Sequence, residues 1–388
     1  MAHFGFLLNH YHNDMLVYPY PDSEHIVIPY LDLTEEFEHL TIAVCTLRIT
    51  DPDYDGYFVP YIVARLKLLG HVDRVLIDDM TEAVSLDSID QLLNGIETEC
   101  GIPRRNIAFV SGGAEEIPGL ISYPIFYQVD HPRLVNYKNN NVVPWNQREK
   151  LLISLGRRPC WFRVALTEEL IKRDLLTHSI VSCGSDSTFG DDGWIQMFAT
   201  PEFRKYFPMT VDGAITREDE YVSNGLEFSN AFVNIVSESS HDEMPNKLLR
   251  LQKLFNETDS IWAPDAVHHW ERVFVTEKTI KPIAMRQIPI FNTVRHHVRH
   301  LRSIGLDMFD DVVDHSYDEL EDPAQRIWAV ANQAEILYRR GHEYFRSIPK
   351  IEQRLEHNYQ CAQLYYKTAL QVAHTRIKEF LNHGHVTL

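Results

Sequence analysis

Short apolar runs alternate with segments of helical period through the first 150 residues, the pattern of an α/β layer fold. Runs at 4–8, 25–29, 41–49, 74–79, 107–111 and 125–129 predict strands. Between them, residues 57–69 set Val59, Ile62, Val63, Leu66 and Leu69 on one helical face, and Leu86–Cys100 forms a second, weaker helical pattern. A polar stretch at 137–146 holds three consecutive asparagines and predicts a linker, which puts the domain boundary there. A second α/β run opens at 151–155, turns at 156–159, and continues in a helix over 161–175 with Phe162, Leu166 and Leu170 in register. Further strands are expected at Ser179–Cys183, Ala231–Ser237, 272–276, 288–291 and 308–313. Asp322 as N-cap and Pro323 at the first helical position predict a helix over 323–340, and 351–381 predicts a long terminal one ending at Asn382–Gly384. The expected fold class is α/β: two Rossmann-like domains, 1–146 and 147–388, closed by C-terminal helices.

Composition agrees with two globular domains, because 388 residues at roughly 150 per domain exceed one ordinary core. The formal net charge of −18 disfavours a general nucleic-acid or anionic-membrane partner unless basic residues gather locally. No apolar run has the length of a membrane span, and no signal peptide is expected. The five cysteines are scattered without paired spacing, which points to a reducing, cytoplasmic compartment.

Basic residues recur where strands end. In the segment 272–292, RVFVTEKTIKPIAMRQIPIFN, a strand is expected to end at Thr276, with Glu277, Lys278 and Lys281 following and Pro282 in the first turn of a short helix. Ligands of such βαβ units sit beyond the carboxyl ends of strands, where a helix N-terminus favours phosphate. Two lysines suit a diphosphate, and Glu277 can accept hydrogen bonds from ribose hydroxyls. Arg157 and Arg158 occupy the equivalent turn after the first strand of this half, with Arg163 one helical turn on, and their planar donor forks suit phosphate oxygens. A third strand end carries Ser237, Glu238 and Ser239, groups able to hydrogen-bond a base or sugar as well as to terminate a strand.

The stretch TEKTIKPIAMRQIPIF resembles the donor-site motif of fucosyltransferase-like glycosyltransferases of the GT-B type. It is closer still to phage and giant-virus glycosyltransferase-like proteins carrying T-E-K-x-x-K-P, an upstream S-E and a downstream S-Y-D, here Ser237–Glu238, Thr276–Pro282 and DDVVDHSYD at 310–318. The resemblance covers about 151–329. It implies a GT-B arrangement, a nucleotide-sugar co-substrate, no required metal, and transfer of a hexose or pentose to a hydroxyl. It also implies that Glu277 and Lys278 bind nucleotide and diphosphate, with Lys281 nearby and Arg157 or Arg158 neutralising the leaving group. The sequence departs from the pattern at Cys160, Trp161 and Phe162, and at Gln287, where a small residue is expected. The acceptor is left open between a glycan, a small molecule and a hydroxymethylated base of viral DNA, as is a non-catalytic nucleotide-sugar-binding module.

Two metal patterns compete. Asp51-Pro52-Asp53 matches D-x-D, but the proline and the following Asp55-Gly56 favour a loop. His296, His297 and His300 have helical spacing, yet arginines interleave them and no carboxylate is arranged as a partner, so no metal is expected. An inverting transfer needs a carboxylate or histidine to take the acceptor proton at the cleft, and the resemblance to GT-B enzymes implies that this group comes from the first domain. His12, Asp14 and Asp51 are the leading candidates, with His10, Asp78 and Asp79 behind them. Ser111-Gly112-Gly113 is a turn that can bring backbone near a ligand.

Overall fold

A computed structural model of the chain describes residues 4–7, 42–46, 63–64, 66–67, 71–79, 86–114, 119–123, 142–156, 159–184, 195, 198–209, 228–238 and 272–383. The chain divides into two compact units, Met1–Ile125 with Lys367–Leu388, and Phe126–Tyr366. The fold is α/β, with a parallel sheet in each unit. The polar stretch at 137–146 places the expected boundary later, between 146 and 147, with the chain's end in the second domain.

In the first unit, strands β1 (Phe4–Leu7), β2 (Ile42–Thr46), β3 (Arg74–Asp79), β4 (Ile107–Ser111) and β5 (Leu120–Ser122) lie side by side in chain order, all parallel. Period-2 alternation puts Val75, Ile77, Ile107, Phe109 and Leu120 into one buried cluster. Helix α1 (Leu86–Cys100) supplies Ile89, Leu92, Leu93 and Ile96, the i, i+3, i+4, i+7 stripe that seals it. Of the expected strands, 25–29 and 125–129 lie outside the described residues, while β5 was not anticipated.

The second unit holds β6 (Lys150–Gly156), β7 (Ser179–Cys183), β8 (Ala231–Ser237) and β9 (Ile288–Asn292), ordered β7-β6-β8-β9 and all parallel. Helix α2 (Trp161–Lys172) follows β6, and α3 (Glu277–Ala284) precedes β9. The chain leaves β6 toward β7 on one side, then returns to place β8 on the other. The order reverses between β6 and β8, and such a reversal opens a crevice beyond the carboxyl ends of the two strands. The five described strands of the first unit show no reversal.

After α4 (His297–Ser303), the chain closes with α5 (Pro323–Ser347), broken at Gly341 (φ 71°), and α6 (Ile351–His383). Asp322 Oδ1 accepts the Ala324 N–H at 2.8 Å, so the N-cap is as expected. Helix α5 packs on α2 and on β6 and β9.

Two expected strands are absent. Segment 272–276 forms no strand of either named sheet and carries a single bridge residue, Phe274; Arg272 and Phe274 are buried, and Thr276 is drawn into a helix cap. Segment 308–313 is a turn: Phe309 has φ 58°, and its carbonyl accepts the N–H groups of both Val312 and Val313. Met308, Phe309, Val312 and Val313 reach the core through this turn rather than by strand alternation.

Arg148 shows what holds the base of the second sheet. It is 1% exposed, and its guanidinium donates to the carbonyls of Ala231 (2.8 Å), Met285 (2.9 Å) and Val143 (3.4 Å) while lying over the Trp145 ring. Burial first, then the charge of Arg286, lowers Arg148 to about 9. Replacing Arg148 with Ala removes its bonds to three carbonyls, of which that of Ala231 keeps Gln287 as a donor, and the expected loss is about 3 kcal/mol of unfolding free energy. A urea melt of the variant measures this directly, and an unshifted midpoint would contradict the assignment.

Candidate functional site

Four sequence-chosen groups meet at the carboxyl edge of the second sheet: Ser237, Glu238, Thr276 with Glu277, and Lys278. Glu238 follows β8 and is fully buried. Its Oε1 accepts the N–H groups of Thr276 (3.0 Å) and Thr279 (3.2 Å) and the Thr279 hydroxyl (2.6 Å). Its Oε2 accepts the Thr276 hydroxyl at 2.6 Å. Thr276 is in turn the N-cap of α3, its Oγ1 accepting the Lys278 N–H at 3.2 Å. The cap fixes the helix start at Glu277, which leaves Pro282 inside the helix rather than in its first turn.

This arrangement revises the phosphate reading of α3. The donors at the start of the helix are already engaged by the chain's own Glu238 carboxylate and Thr276 hydroxyl. A negative group already sits where the helix dipole favours one. Glu238 therefore acts as an architectural anion, and its four hydrogen bonds replace the base or sugar contacts expected of it.

Arg163 is likewise turned inward. It is 8% exposed, and its Nη2 donates to the carbonyls of Ser237 (3.3 Å) and Glu238 (3.4 Å). Gly156 makes room for it, since a Cβ there would lie 3.3 Å from both Arg163 Cδ and the Ser182 carbonyl oxygen. Ser237 Oγ accepts from Asn292 Nδ2 at 3.2 Å, which joins the ends of β8 and β9. Gln287 is buried and explains its own presence: its amide donates to the carbonyls of Phe228 (2.6 Å) and Ala231 (3.2 Å), and its oxygen accepts from Asn234 (2.8 Å).

Glu277 and Lys278 differ from these structural groups. Lys278 Nζ donates to Glu277 Oε1 at 2.7 Å, with side-chain exposures of 29% and 18%. Glu277 Oε2 is buried and accepts no hydrogen bond among the described residues. Burial pushes this carboxyl up, but the charges of Lys278 and Lys281, the Lys278 hydrogen bond and its own N–H outweigh that and hold it at about 2. An ionised buried oxygen without a donor is costly, and it marks a place where a ligand hydroxyl can bind. Lys281 lies over the Phe228 ring at 5.5 Å.

The N-terminus of α2 faces the same edge. Its N-cap is Cys160, which makes no side-chain capping bond. Burial raises the Cys160 thiol, while Arg163 and Lys278 both pull it down, so the two helix starts are within electrostatic reach of each other. Arg157 and Arg158, which precede this cap, lie outside the described residues, as do His10, His12, Asp14 and the Asp51-Pro52-Asp53 motif. Asp78 and Asp79 end β3, and their side chains are not described.

The remaining motifs are structural. Asp318 of S-Y-D accepts the N–H groups of Val298 (3.0 Å) and Arg299 (2.9 Å), capping α4. Tyr317 accepts the Phe291 N–H at 3.1 Å and bonds His315 Nδ1 at 2.8 Å, while His315 Nε2 donates to the Met308 carbonyl at 2.7 Å. The three histidines of R-H-H-V-R-H do not converge: His296 lies 3.5 Å from Glu319, while buried His297 bonds Thr279 Oγ1 at 3.1 Å. Among the described residues no three of His, Cys, Asp and Glu gather as metal ligands. No described helix is long and apolar enough to cross a membrane.

Sequence reasoning passes over Thr279, and weighs His297 only as a metal ligand. Thr279 donates its hydroxyl proton to Glu238, so His297 Nε2–H donates to Thr279, and its Nδ1 is buried without a partner. The T-x-x-T spacing at 276–279 is a legible signal for two hydroxyls on one helical turn; nothing in the sequence pairs the histidine with them.

Burial, with a smaller contribution from His300, lowers His297 to about 3. The unfolded chain binds a proton below about 6.5 that the folded protein refuses, so this group's effect is destabilising as pH falls from 6.5 toward 3. Wild type is expected to lose about 2 kcal/mol more than His297→Gln between pH 7 and pH 5. Paired denaturant melts read the difference, and parallel pH profiles would contradict it. Comparison of the chain with protein-family models, with curated proteins and with solved structures finds no match in any of the three.

Proposed function

We propose that the chain is a glycosyltransferase that moves a sugar from a nucleotide-sugar donor to an acceptor hydroxyl, with its two units in a GT-B arrangement. The donor sits at the order reversal between β6 and β8. Glu277 Oε2 accepts hydroxyls of the donor, and Lys278 turns from Glu277 toward the diphosphate with Lys281 beside it. Arg157 and Arg158, which lie between β6 and α2 in the sequence, complete the cationic set and stabilise the leaving diphosphate.

The observation that carries this reading is the ionised, buried and unpartnered Glu277 oxygen beside a lysine ammonium, at the one order reversal among the described strands. A carboxylate that accepts two hydroxyls next to cations that take phosphate matches a nucleotide's ribose and diphosphate. Self-capping of α3 by Glu238 makes side-chain cations, rather than the α3 dipole, the source of phosphate affinity.

A panel of nucleotide sugars tests the reading by thermal shift. A bound donor at about 100 times its Kd is expected to add roughly 2.7 kcal/mol of stability. Glu277→Gln is expected to weaken binding about 10- to 100-fold through the lost charged hydrogen bonds, and Lys278→Ala to do likewise. A folded wild type that responds to no member of the panel would remove the reading.

A further inference from the structure

The orphaned oxygen of Glu277 raises a question of access. Oε2 is closed to solvent as well as without a hydrogen-bond partner among the described residues, so a ligand hydroxyl reaches it only if a neighbouring group moves. The other oxygen, Oε1, accepts from Lys278 Nζ at 2.7 Å, and the same ammonium donates to Thr276 Oγ1 at 3.5 Å. The Glu277 and Lys278 side chains keep 18% and 29% of their surface exposed, so the pair borders solvent.

The groups around this pair divide into fixed and movable ones. Thr276 is fixed, because its hydroxyl donates to buried Glu238 at 2.6 Å while its oxygen caps α3. Glu277 is the first residue of that helix, so the cap holds its backbone in place. Lys278 carries its charge on a flexible aliphatic stem, and water solvates the ammonium when it swings away. Opening the pair therefore costs the lysine little and the glutamate much, since a buried carboxylate that loses its cation needs replacement donors. Burial pushes the Glu277 carboxyl up, but Lys278 and Lys281 hold it at about 2, so it stays ionised at neutral pH.

We infer that the pair of Glu277 and Lys278 is a latch, which disfavours simple anions and opens for a ligand that carries hydroxyls beside its phosphate; the identity of that ligand rests on the glycosyltransferase reading. An anion alone draws Lys278 away but leaves Glu277 ionised, buried and without a donor, which lowers its affinity. A neutral sugar alone supplies donors to Glu277 but gives the displaced ammonium no ion pair in return. A ribosyl or glycosyl phosphate does both: its phosphate oxygens take the ammonium while its hydroxyls donate to Oε1 and Oε2. The latch selects by coupling the two contacts, so that each is strong only when the other is made.

A double-mutant cycle on the full chain, read by titration calorimetry at constant ionic strength, tests the latch. Sulfate serves as the anion without a hydroxyl, and UDP, GDP, CDP and ADP as anions that carry ribose. Glu277→Gln frees Lys278, so sulfate is expected to bind about tenfold tighter than to wild type, while the nucleoside diphosphate that wild type prefers binds more weakly. Glu277→Asp, which draws the carboxylate back but keeps its charge, is expected to move sulfate in the same direction. In a Lys278→Ala background, Glu277→Gln is expected to leave sulfate affinity within about twofold, because no latch is left to open. A gain that persists in that background is a general charge effect and overturns the latch, as does unimproved sulfate binding in the folded Gln and Asp variants. Wild type that still binds a nucleoside diphosphate then leaves the donor reading standing. Wild type that binds none of the four, with sulfate tightened only where Lys278 is present, removes the donor reading and keeps the latch.

Discussion

One buried carboxylate organises the carboxyl edge of the second sheet. Glu238 can be buried fully only because four donors from Thr276 and Thr279 surround it. Those same bonds decide where α3 starts, and the start decides where Glu277 and Lys278 stand. Thr279 extends the network to His297 at the head of α4, and Arg163 holds the carbonyls of Ser237 and Glu238 from the other side. The position of Glu277, whose Oε2 has no donor among the described residues, therefore depends on a carboxylate whose own partners all belong to the chain.

Arginine plays a matching part through the fold. Arg148, Arg163 and Arg326 are each buried and donate to main-chain carbonyls at strand or loop ends; Arg326 reaches those of Thr293, Leu320 and Glu321. A planar fork can satisfy several carbonyls that no strand partner reaches, which a lysine cannot do. These three guanidiniums are withdrawn from the surface, but so are the carboxylates of Glu168, Glu238 and Asp318, so among the described residues burial leaves the acidic balance behind the net −18 almost unchanged. That makes an extended polyanion a poor partner for the molecule as a whole, while a small diphosphate needs only a few local cations.

Periodicity made much of the fold legible. Strands β3, β4, β7 and β8 and helix α1 have the bounds their apolar patterns implied; β4 and β8 are buried at every position, as their unbroken apolar runs require. The pattern failed at 272–276 and 308–313, where apolar residues are buried by a capping contact and by a left-handed turn at Phe309. The candidate site was legible as a list of strand-end residues but not as a division of labour. Glu238 and Glu277 look alike in sequence, both acidic and both at an apolar segment's end. Only the tertiary placement of Thr276 and Thr279 satisfies one and leaves an oxygen of the other without a donor.

The donor reading comes down to whether a nucleoside diphosphate occupies the crevice between β6 and β8. Hydrogen–deuterium exchange with and without saturating UDP, GDP, CDP, ADP and dTDP tests this most directly. Slowed exchange for one of them in the peptides spanning 157–163 and 276–281 together is the expected result. Protection confined to other segments, or none with any nucleotide, would contradict it.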